Sequence, residues 1–338
     1  MKSVNSRARK SVRAKARRVA AAAVASGLIA GGALTLATTA ASASTLHHGA
    51  TSYSFQTIDN PRDLTFNQLL GINDSGEIAG YFGSGNPGHP NKGYVIPPFS
   101  RSFVNENFTG SVQTQVTGLN NRGITVGFWS NSDLGGGMDA NFGFVDVGGH
   151  MRNVDFPTGS PASPAVDQLL GVNDSDVAVG FYTDASKNNH GYEYNIDHNR
   201  YSSVVDPNAP SASLSAAAIN DLSDVAGDYT NPANGNTDGF LLTHHGQFID
   251  LAVPGAASTM ALGVNNLDEV VGVYTVGSGS NALMHGFTWT AKGGFRTVDD
   301  PHGIGTTTIN GVNDRGQLVG FYVDSAGNTD GFLANPTH

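Results

Sequence analysis

Residues 70–82 read Leu-Gly-Ile-Asn-Asp-Ser-Gly-Glu-Ile-Ala-Gly-Tyr-Phe, and the chain repeats this arrangement six times. In each copy an aliphatic residue precedes Asn, Asp or Asn follows it, and Gly stands seven residues after the first Asn. The six copies are centred on Asn73, Asn120, Asn173, Asn220, Asn265 and Asn313. Successive copies are 45 to 53 residues apart. Such a period indicates a supersecondary unit that buries its faces by stacking on copies of itself.

Each unit contains four short strand patterns. The first is apolar and ends at the Asn, where a tight turn begins because Asn tolerates a positive φ. Gly76, Gly123 and Gly316 assist that turn in three units, and we assign the same place to Asp176, Asp224 and Asp268 in the others. The second strand ends in aromatic residues, and the third begins with Gly and an aromatic residue. The fourth is predicted at an aliphatic residue followed by Asp or Asn: 104–105, 154–155, 205–206, 249–250 and 298–299.

Four strands in about 48 residues are the content of one propeller blade. The sixth unit stops near Leu333 without a fourth strand, and residues 53–61 at the start of the repeat region match that strand. An N-terminal strand that completes the last blade would close the ring and remove its open edges. We therefore predict an all-β fold, a single six-bladed propeller with four strands per blade, rather than an open solenoid.

The predicted domain organisation follows from the same pattern. Residues 1–43 are read as a signal peptide, 44–52 as a short tail and 53–338 as the propeller. The repeat units lie near 62–105, 106–155, 156–206, 207–250, 251–299 and 300–334, with the closing strand at 53–61.

The repeats resemble the HAF-repeat family of bacterial extracellular proteins, whose units carry Gly-Ile-Asn-Asp/Asn, a later Gly and a His-Ala/Gly-Phe step. The resemblance covers residues 53–333, and 190–192 and 285–287 match the His step best. The other units carry Lys92, Phe142, Asp238 and Asp330 in place of that His. The resemblance implies an extracellular β-propeller and supplies no catalytic residues.

The first 43 residues have the pattern of an export signal. Eight basic residues and no acidic ones precede an Ala- and Gly-rich apolar stretch, and Ala41-Ser42-Ala43 has the small-x-small form of a cleavage site. A single membrane anchor is the alternative reading of that stretch. We predict export, cleavage and release of a secreted, extracellular monomer with no membrane contact after cleavage. The Arg17-Arg18 pair also allows a twin-arginine route.

Charge and composition exclude several partners. The leader carries 8 of the 18 Lys and Arg residues, so the rest of the chain has 10 basic against 28 acidic residues, a net charge of −18. So acidic a body repels a phosphate backbone, and nucleic acid is not an expected partner. The chain has no Cys, which excludes thiol chemistry and thiolate metal sites.

No cofactor or metal is predicted. The Asp- and Asn-rich loops near 184–189 and 324–330 offer oxygen ligands that calcium prefers, but they lack the EF-hand spacing and its closing Glu. Calcium stays an open alternative. No hydrolase elbow, P-loop, zincin or dinucleotide motif occurs in the sequence.

Residues that break the repeat are the better functional candidates. Two kinds of loop share one rim of the ring: those from a fourth strand to the next first strand, and those from a second to a third strand. Loops on a rigid frame usually carry the ligand site. If the protein is an enzyme, Asp63 or Asp167 would act as acid or base, and His302 or Arg62 would stabilise charge. Each is also a plausible solvated loop residue.

Ligand-binding candidates are Trp129, His190 and His285. Trp129 belongs to the sixfold set of aromatic residues ending the second strands, whose alternative role is packing. The repeated Asn residues and the Asp residues of the fourth strands are read as structural, because an element present in nearly every blade normally serves the blade.

Three functions follow from these observations. The first is a secreted propeller that binds an extracellular ligand, a polysaccharide or cell-surface glycan, without turnover. The second is a carbohydrate-active hydrolase or lyase with carboxylates in the central pocket, where a glycosidase needs two about 5–10 Å apart. The third is a protein-interaction scaffold.

Overall fold

The computed structural model describes residues 52–337 and forms a ring of six four-stranded antiparallel sheets, a six-bladed β-propeller. The predicted signal peptide and its cleavage site lie outside the described residues. Within 52–337 the helical content is one 3₁₀ turn, Gly279–Asn281. No helix in this range has the length and apolar character needed to cross a membrane.

Each blade runs from an inner strand at the axis to an outer strand at the edge. Blades 1 to 3 comprise β2 Asn67–Ile72, β3 Ile78–Phe82, β4 Lys92–Ile96, β5 Val104–Asn105; β6 Gln113–Leu119, β7 Ile124–Ser130, β8 Phe142–Val147, β9 His150–Asn153; and β10 Asp167–Val172, β11 Val177–Thr183, β12 Asn189–Asn195, β13 Arg200–Val204. Blades 4 to 6 comprise β14 Leu214–Ile219, β15 Val225–Thr230, β16 Thr237–Leu242, β17 Phe248–Leu251; β18 Ser258–Val264, β19 Val270–Val276, β20 Leu283–Thr290, β21 Gly294–Thr297; and β22 Thr308–Val312, β23 Leu318–Val323, β24 Thr329–Thr337, with β1 Ser52–Thr57 outermost.

The predicted closure of the ring is confirmed. Strand β1 pairs antiparallel with β24 and is the fourth strand of the last blade. Phe55 packs edge-on against Phe332 at 5.3 Å between ring centroids. Inner strands of successive blades contact one another around the ring, including β22 with β2.

Two sequence assignments shift by a few residues. In blades 2, 3 and 5 the outer strand ends just before the predicted Val-Asp pair, at Asn153, Val204 and Thr297. In blade 4 the residue with positive φ in the first turn is Ser223, at +69°, and not Asp224 as predicted. Ser223 stands three residues after the Asn, as Gly76 and Asp176 do, because the turn has the same length in every blade.

A β-bulge in every inner strand explains the Gly of the repeat. The register of each inner strand slips by one residue, in blade 3 between Leu169 and Gly171. The slip brings the carbonyl oxygen of Gln168 against Gly180, where an added Cβ would lie 1.9 Å from that oxygen. Since no side chain fits there, the residue seven after the Asn is Gly.

The core lies between the blades. The aromatic residue that follows Gly in each third strand is completely buried in all six blades: Tyr94, Phe144, Tyr192, Phe240, Phe287 and Phe332. Aliphatic residues from the neighbouring blade share a buried cluster with these rings, as Val126 and Val145 of blade 2 do with Tyr192 of blade 3. Stacking of blades therefore buries the faces that a single blade leaves open.

A closed ring of hydrogen bonds joins the blades at the end of the inner strands. The side-chain amide of each repeated Asn donates to the backbone carbonyl of the corresponding Asn in the next blade, and the last, Asn313, donates to Asn73. Each Asn side-chain oxygen also accepts N–H groups of its own turn, as in Asn173 with Val177. The structural interpretation of these Asn residues is confirmed.

A second ring of hydrogen bonds lies on the same face as the first. The residue after each repeated Asn accepts a backbone N–H from its counterpart in the preceding blade: Asp74, Asn121, Asp174, Asp221, Asn266 and Asp314. Asn121 and Asn266 also donate side-chain N–H groups to the carboxylates on both sides. We call the face with these two rings the turn face, and the opposite face, where the inner strands begin, the loop face.

Candidate functional site

A pocket lies on the axis between the inner strands. Six of its lining residues are the bulged residues of the six inner strands: Leu70, Thr117, Leu170, Ala217, Leu262 and Asn310. The others lie one layer closer to the loop face, on the first and second strands: Gln68, Gln115, Phe128, Met260, Val273, Thr308 and Phe321. The bulge that forces Gly into the repeat therefore also turns one side chain per blade toward the axis.

The pocket breaks the sixfold symmetry. All its polar lining side chains come from three consecutive blades, 6, 1 and 2: Gln68, Gln115, Thr117, Thr308 and Asn310. Blades 3, 4 and 5 contribute only apolar side chains to the lining: Leu170, Ala217, Met260, Leu262 and Val273. Among the described residues, those that line the pocket include no ionisable side chain. The pocket thus has a neutral polar side and an apolar side.

Several polar groups on the polar side have no hydrogen-bond partner among residues 52–337. The Thr308 hydroxyl is buried without a hydrogen-bond partner, and the residue is only 3% exposed. The Gln115 side chain makes no hydrogen bond to any described residue. Gln68 uses its carbonyl oxygen to accept the Tyr81 hydroxyl at 2.8 Å, which leaves its amide nitrogen free of described partners. Buried polar groups are normally paired, so these groups are available to a ligand or to water.

Other polar groups of the pocket are structural. Thr117 donates to the carbonyl of Leu169 at 2.8 Å, and Asn310 donates to the carbonyl of Leu69 at 2.8 Å. Both acceptors belong to the next blade. These two bonds hold neighbouring inner strands together at the bulge. The side-chain oxygen Oδ1 of Asn310 accepts no hydrogen bond from any described residue.

Asp228 is a buried carboxyl that the sequence reasoning missed. In the sheet of blade 4, Asp228 lies opposite Ser215 on the neighbouring strand. The equivalent pairs are Gln115 with Phe128 in blade 2 and Met260 with Val273 in blade 5. Asp228 is 9% exposed, and neither oxygen has a hydrogen-bond partner among the described residues. Burial raises its pKa to about 7.

A sequence signal for Asp228 did exist. The residue that follows the repeated Gly is aromatic or aliphatic in the other five blades: Tyr81, Phe128, Phe181, Val273 and Phe321. Asp at this position breaks the repeat in the same way as the candidate loop residues Asp63 and Asp167 do. A strand residue gives a weaker functional signal than a loop residue, because loops on a rigid frame usually carry binding and catalytic groups.

The predicted acid or base Asp167 begins the inner strand of blade 3 and is 2% exposed. Its oxygens accept the Tyr192 hydroxyl at 2.6 Å and the Phe156 backbone N–H at 2.7 Å. Burial raises its pKa to about 7, although both hydrogen bonds oppose this shift. Hydroxyls at the same position accept the corresponding loop N–H in other blades: Thr114, Thr259 and Thr307. Asp167 therefore holds its loop as those residues hold theirs.

The other predicted catalytic residues lie on the loop face but apart from Asp167. Asp63 is 8% exposed and accepts N–H and O–H bonds from Thr65, and its second oxygen lies 2.6 Å from His89 Nε2. Arg62 donates to Asn105 at 3.1 Å. His302 has a 71% exposed side chain and pairs with Asp300. No hydrogen bond or ion pair among the described residues joins Asp63, Asp167 and His302.

The three predicted binding residues lie in three different blades. Trp129 stacks on Phe108 at 4.5 Å with nearly parallel rings, and its indole N–H donates to Asn153. His190 stacks on Tyr182 and pairs with Asp184 at 3.1 Å. His285 stacks on Tyr274 and pairs with Asp299 at 2.7 Å. Each lies at the end of its second or start of its third strand, and none lines the axial pocket.

Among residues 52–337, no group of three or more His, Asp or Glu side chains has an arrangement suited to a metal ion.

Comparisons with known proteins support the fold. No protein-family model matches the chain, and no curated protein matches its sequence. A solved protein of unknown function from Dyadobacter fermentans DSM 18053 is similar over 84% of this chain and 98% of its own, with 11% identity and a TM-score of 0.54. At this identity the likeness concerns the fold alone.

Two other solved structures are more distant. The Aleuria aurantia lectin in complex with Fucα1-6GlcNAc covers 81% of this chain and 95% of its own at 9% identity, with a TM-score of 0.44. A polysaccharide lyase of the ulvan lyase type covers 79% of this chain and 78% of its own at 12% identity, with a TM-score of 0.40. At these scores neither structure carries an argument about the ligand of this chain.

Proposed function

We propose that this chain is an extracellular binding protein whose axial pocket takes a neutral saccharide unit of a glycan or polysaccharide. The observation that carries the proposal is the division of the pocket into a polar and an apolar side. Gln115, Thr308 and Gln68 offer unpartnered groups on one side, and Met260, Leu262 and Leu170 form the other. A sugar ring presents hydroxyl groups at its edge and C–H groups on its face, which complements such a pocket.

The lining also favours binding over glycosidic cleavage at this site. Cleavage needs two carboxyl groups flanking the bond, and the residues that line the pocket carry none. Amide and hydroxyl groups can form hydrogen bonds with a sugar in either direction, as donors or as acceptors. The lack of lining charges predicts a preference for neutral over acidic glycans.

Secretion and membership of the HAF-repeat proteins belong to the same proposal. They rest on the basic leader, the Ala-Ser-Ala step and the repeated Asn-Asp turns. A monomer suffices for the proposed site, because one chain supplies all six blades of the ring.

The test uses residues 44–338 and an array of neutral and acidic oligosaccharides. We expect binding to a neutral glycan that weakens at least tenfold in Gln115→Leu and in Thr308→Val, because each loses an unpartnered polar group of the pocket. Gln247→Leu is the matched control, since Gln247 is an exposed Gln on the turn face. Selective binding to acidic glycans, or equal binding by Gln115→Leu and the control, would contradict the proposal.

A further inference from the structure

The loop face of blade 1 brings a serine, a histidine and an aspartate into contact. Ser84 Oγ lies 2.9 Å from His89 Nδ1, and His89 Nε2 lies 2.6 Å from Asp63 Oδ2. Ser84 and His89 belong to the loop between β3 and β4, and Asp63 to the loop that precedes β2. Such an arrangement is identified by geometry and not by order in the chain.

Hydrogen bonding sets the tautomer of His89. The backbone N–H of Ser84 donates to His89 Nδ1 at 3.2 Å, so this nitrogen carries a lone pair in the neutral ring. The ring proton then lies on Nε2, the nitrogen that lies beside the Asp63 carboxylate. Asn86 Nδ2 donates to Ser84 Oγ at 2.9 Å, which directs the Ser84 hydroxyl proton to Nδ1. The neutral ring thus presents its basic nitrogen to the serine.

The Asp63 carboxylate and the Ser84 loop are each held in place by further hydrogen bonds. Asp63 Oδ1 accepts the N–H and the hydroxyl of Thr65, so the carboxylate is fixed with its other oxygen toward His89. The Ser84 loop is closed by Gly85 N–H to the His89 carbonyl and by His89 N–H to the Asn86 carbonyl. The carboxylate end is buried, whereas the His89 side chain is 42% exposed and Ser84 is half-buried, so a substrate approaches from the serine end.

The other four His–Asp pairs of the described residues lack a serine. His190, His244, His285 and His302 each lie within 3.1 Å of an Asp oxygen, and none has a Ser hydroxyl on its second nitrogen. A His–Asp pair is thus a common tether of the loops here. The addition of a serine hydroxyl to the basic nitrogen distinguishes the blade 1 group.

We infer that Ser84, His89 and Asp63 form a nucleophilic centre that hydrolyses short-chain carboxylic esters, an activity separate from ligand binding in the axial pocket. Ser84 Oγ attacks the ester carbonyl carbon while its proton passes to His89 Nδ1. The C–O bond to the alcohol breaks, and the alcohol leaves with that proton. Water then attacks the acyl-serine, its proton passes to Nδ1 and back to Ser84 Oγ, and the carboxylic acid departs.

Two further features of the site concern the substrate. Asn86 Nδ2 is the neutral donor next to Ser84 Oγ and would stabilise the negative charge on the carbonyl oxygen. The neighbouring loop 131–141 is joined to this one through Gly88 N–H and Asp133, and it exposes Leu134 and Met138. These side chains place an apolar surface beside the serine loop, which suits an acyl group better than a charged one.

The experiment is covalent labelling of residues 44–338 with a fluorophosphonate, followed by peptide mapping, together with hydrolysis of p-nitrophenyl acetate. We expect one adduct per chain, on Ser84, and none in Ser84→Ala. His89→Ala should slow labelling and hydrolysis by about 100-fold or more, because the general base is lost. Asn86→Ala should lower the rate of hydrolysis and leave the adduct on Ser84.

Matched controls come from the neighbouring loops. Ser132→Ala removes a hydroxyl that bonds to a carboxylate without a histidine, and His244→Ala removes a His–Asp pair of similar exposure without a serine. Both should label at the native rate. Absence of an adduct on Ser84 in native, folded protein overturns the inference, as does equal labelling of His89→Ala at an unchanged melting temperature. Because glycan binding is measured on the array, failure here leaves the pocket proposal intact.

Discussion

The turn face and the loop face of this propeller follow opposite rules. On the turn face every blade contributes the same Asn, in the same hydrogen bond to the next blade. On the loop face and in the pocket below it, equivalent positions carry different residues, such as Asp228 where other blades carry Phe128 or Val273. The comparison teaches that sixfold repetition marks what holds the ring together, and departures from it mark where function is to be sought.

The largest expected effect breaks the turn face. Asn173→Ala removes one amide donor and the oxygen that accepts the N–H groups of Ser175 and Val177, at a residue only 2% exposed. We expect the free energy of unfolding to fall by about 3–5 kcal/mol, because buried backbone groups lose their partners. Chemical denaturation measures it.

Asn188→Ala is the matched substitution on the loop face, where Asn188 is exposed and bonds to Asp184. We expect this substitution to lower the free energy of unfolding by less than about 1 kcal/mol. Similar losses in the two variants would remove the distinction between the faces.

A smaller and pH-dependent effect is expected at Asp228. Burial raises the pKa of this carboxyl to about 7 in the folded protein, so stability is lost as the pH rises from about 4 through 7 and the group ionises. Asp228→Val, which copies Val273 of blade 5, should remove that loss. At pH 8 we expect the free energy of unfolding of the variant to exceed that of the native chain by roughly 2–4 kcal/mol. At pH 4.5 we expect a much smaller difference.

Thermal unfolding at the two pH values measures this difference. Asp197→Asn, at an exposed position, is the control and should leave the pH dependence unchanged. If the stability difference between Asp228→Val and the native chain is the same at pH 4.5 and pH 8, Asp228 ionises in the folded protein without loss of stability.

The smallest expected effect tests the second hydrogen-bond ring of the turn face. Asn121 donates to the carboxylates of Asp74 and Asp174, so Asn121→Asp replaces two hydrogen bonds by two like-charge contacts. We expect a loss of about 1–2 kcal/mol at low salt, reduced at high salt by screening. Asn234→Asp adds the same charge at an exposed loop position and should cost almost nothing. An equal cost in the two variants, measured by denaturation at two salt concentrations, would mean that the ring has no electrostatic role.

Prediction of the fold succeeded because the blade is a local unit. Its four strands follow one another in about 48 residues. The Asn of the repeat is needed for a local turn, and the Gly is needed for a local β-bulge. The errors in assignment lay at boundaries, as at Ser223, where the turn was counted one residue too long. Of the predicted catalytic residues, Asp63 was placed correctly on the loop face, but its partner His89 was not identified.

The sequence by itself determined the number of blades, the closing strand and the structural role of the repeated Asn, because each of these recurs at a regular spacing. Only the tertiary structure decided that the pocket has a polar and an apolar side, that Asp228 is buried without a hydrogen-bond partner among the described residues and that Ser84, His89 and Asp63 come into contact. These features depend on which side chains from different strands and loops face the same space. Spacing along the chain does not encode that, because a bulge or a turn of one residue changes which way a side chain points.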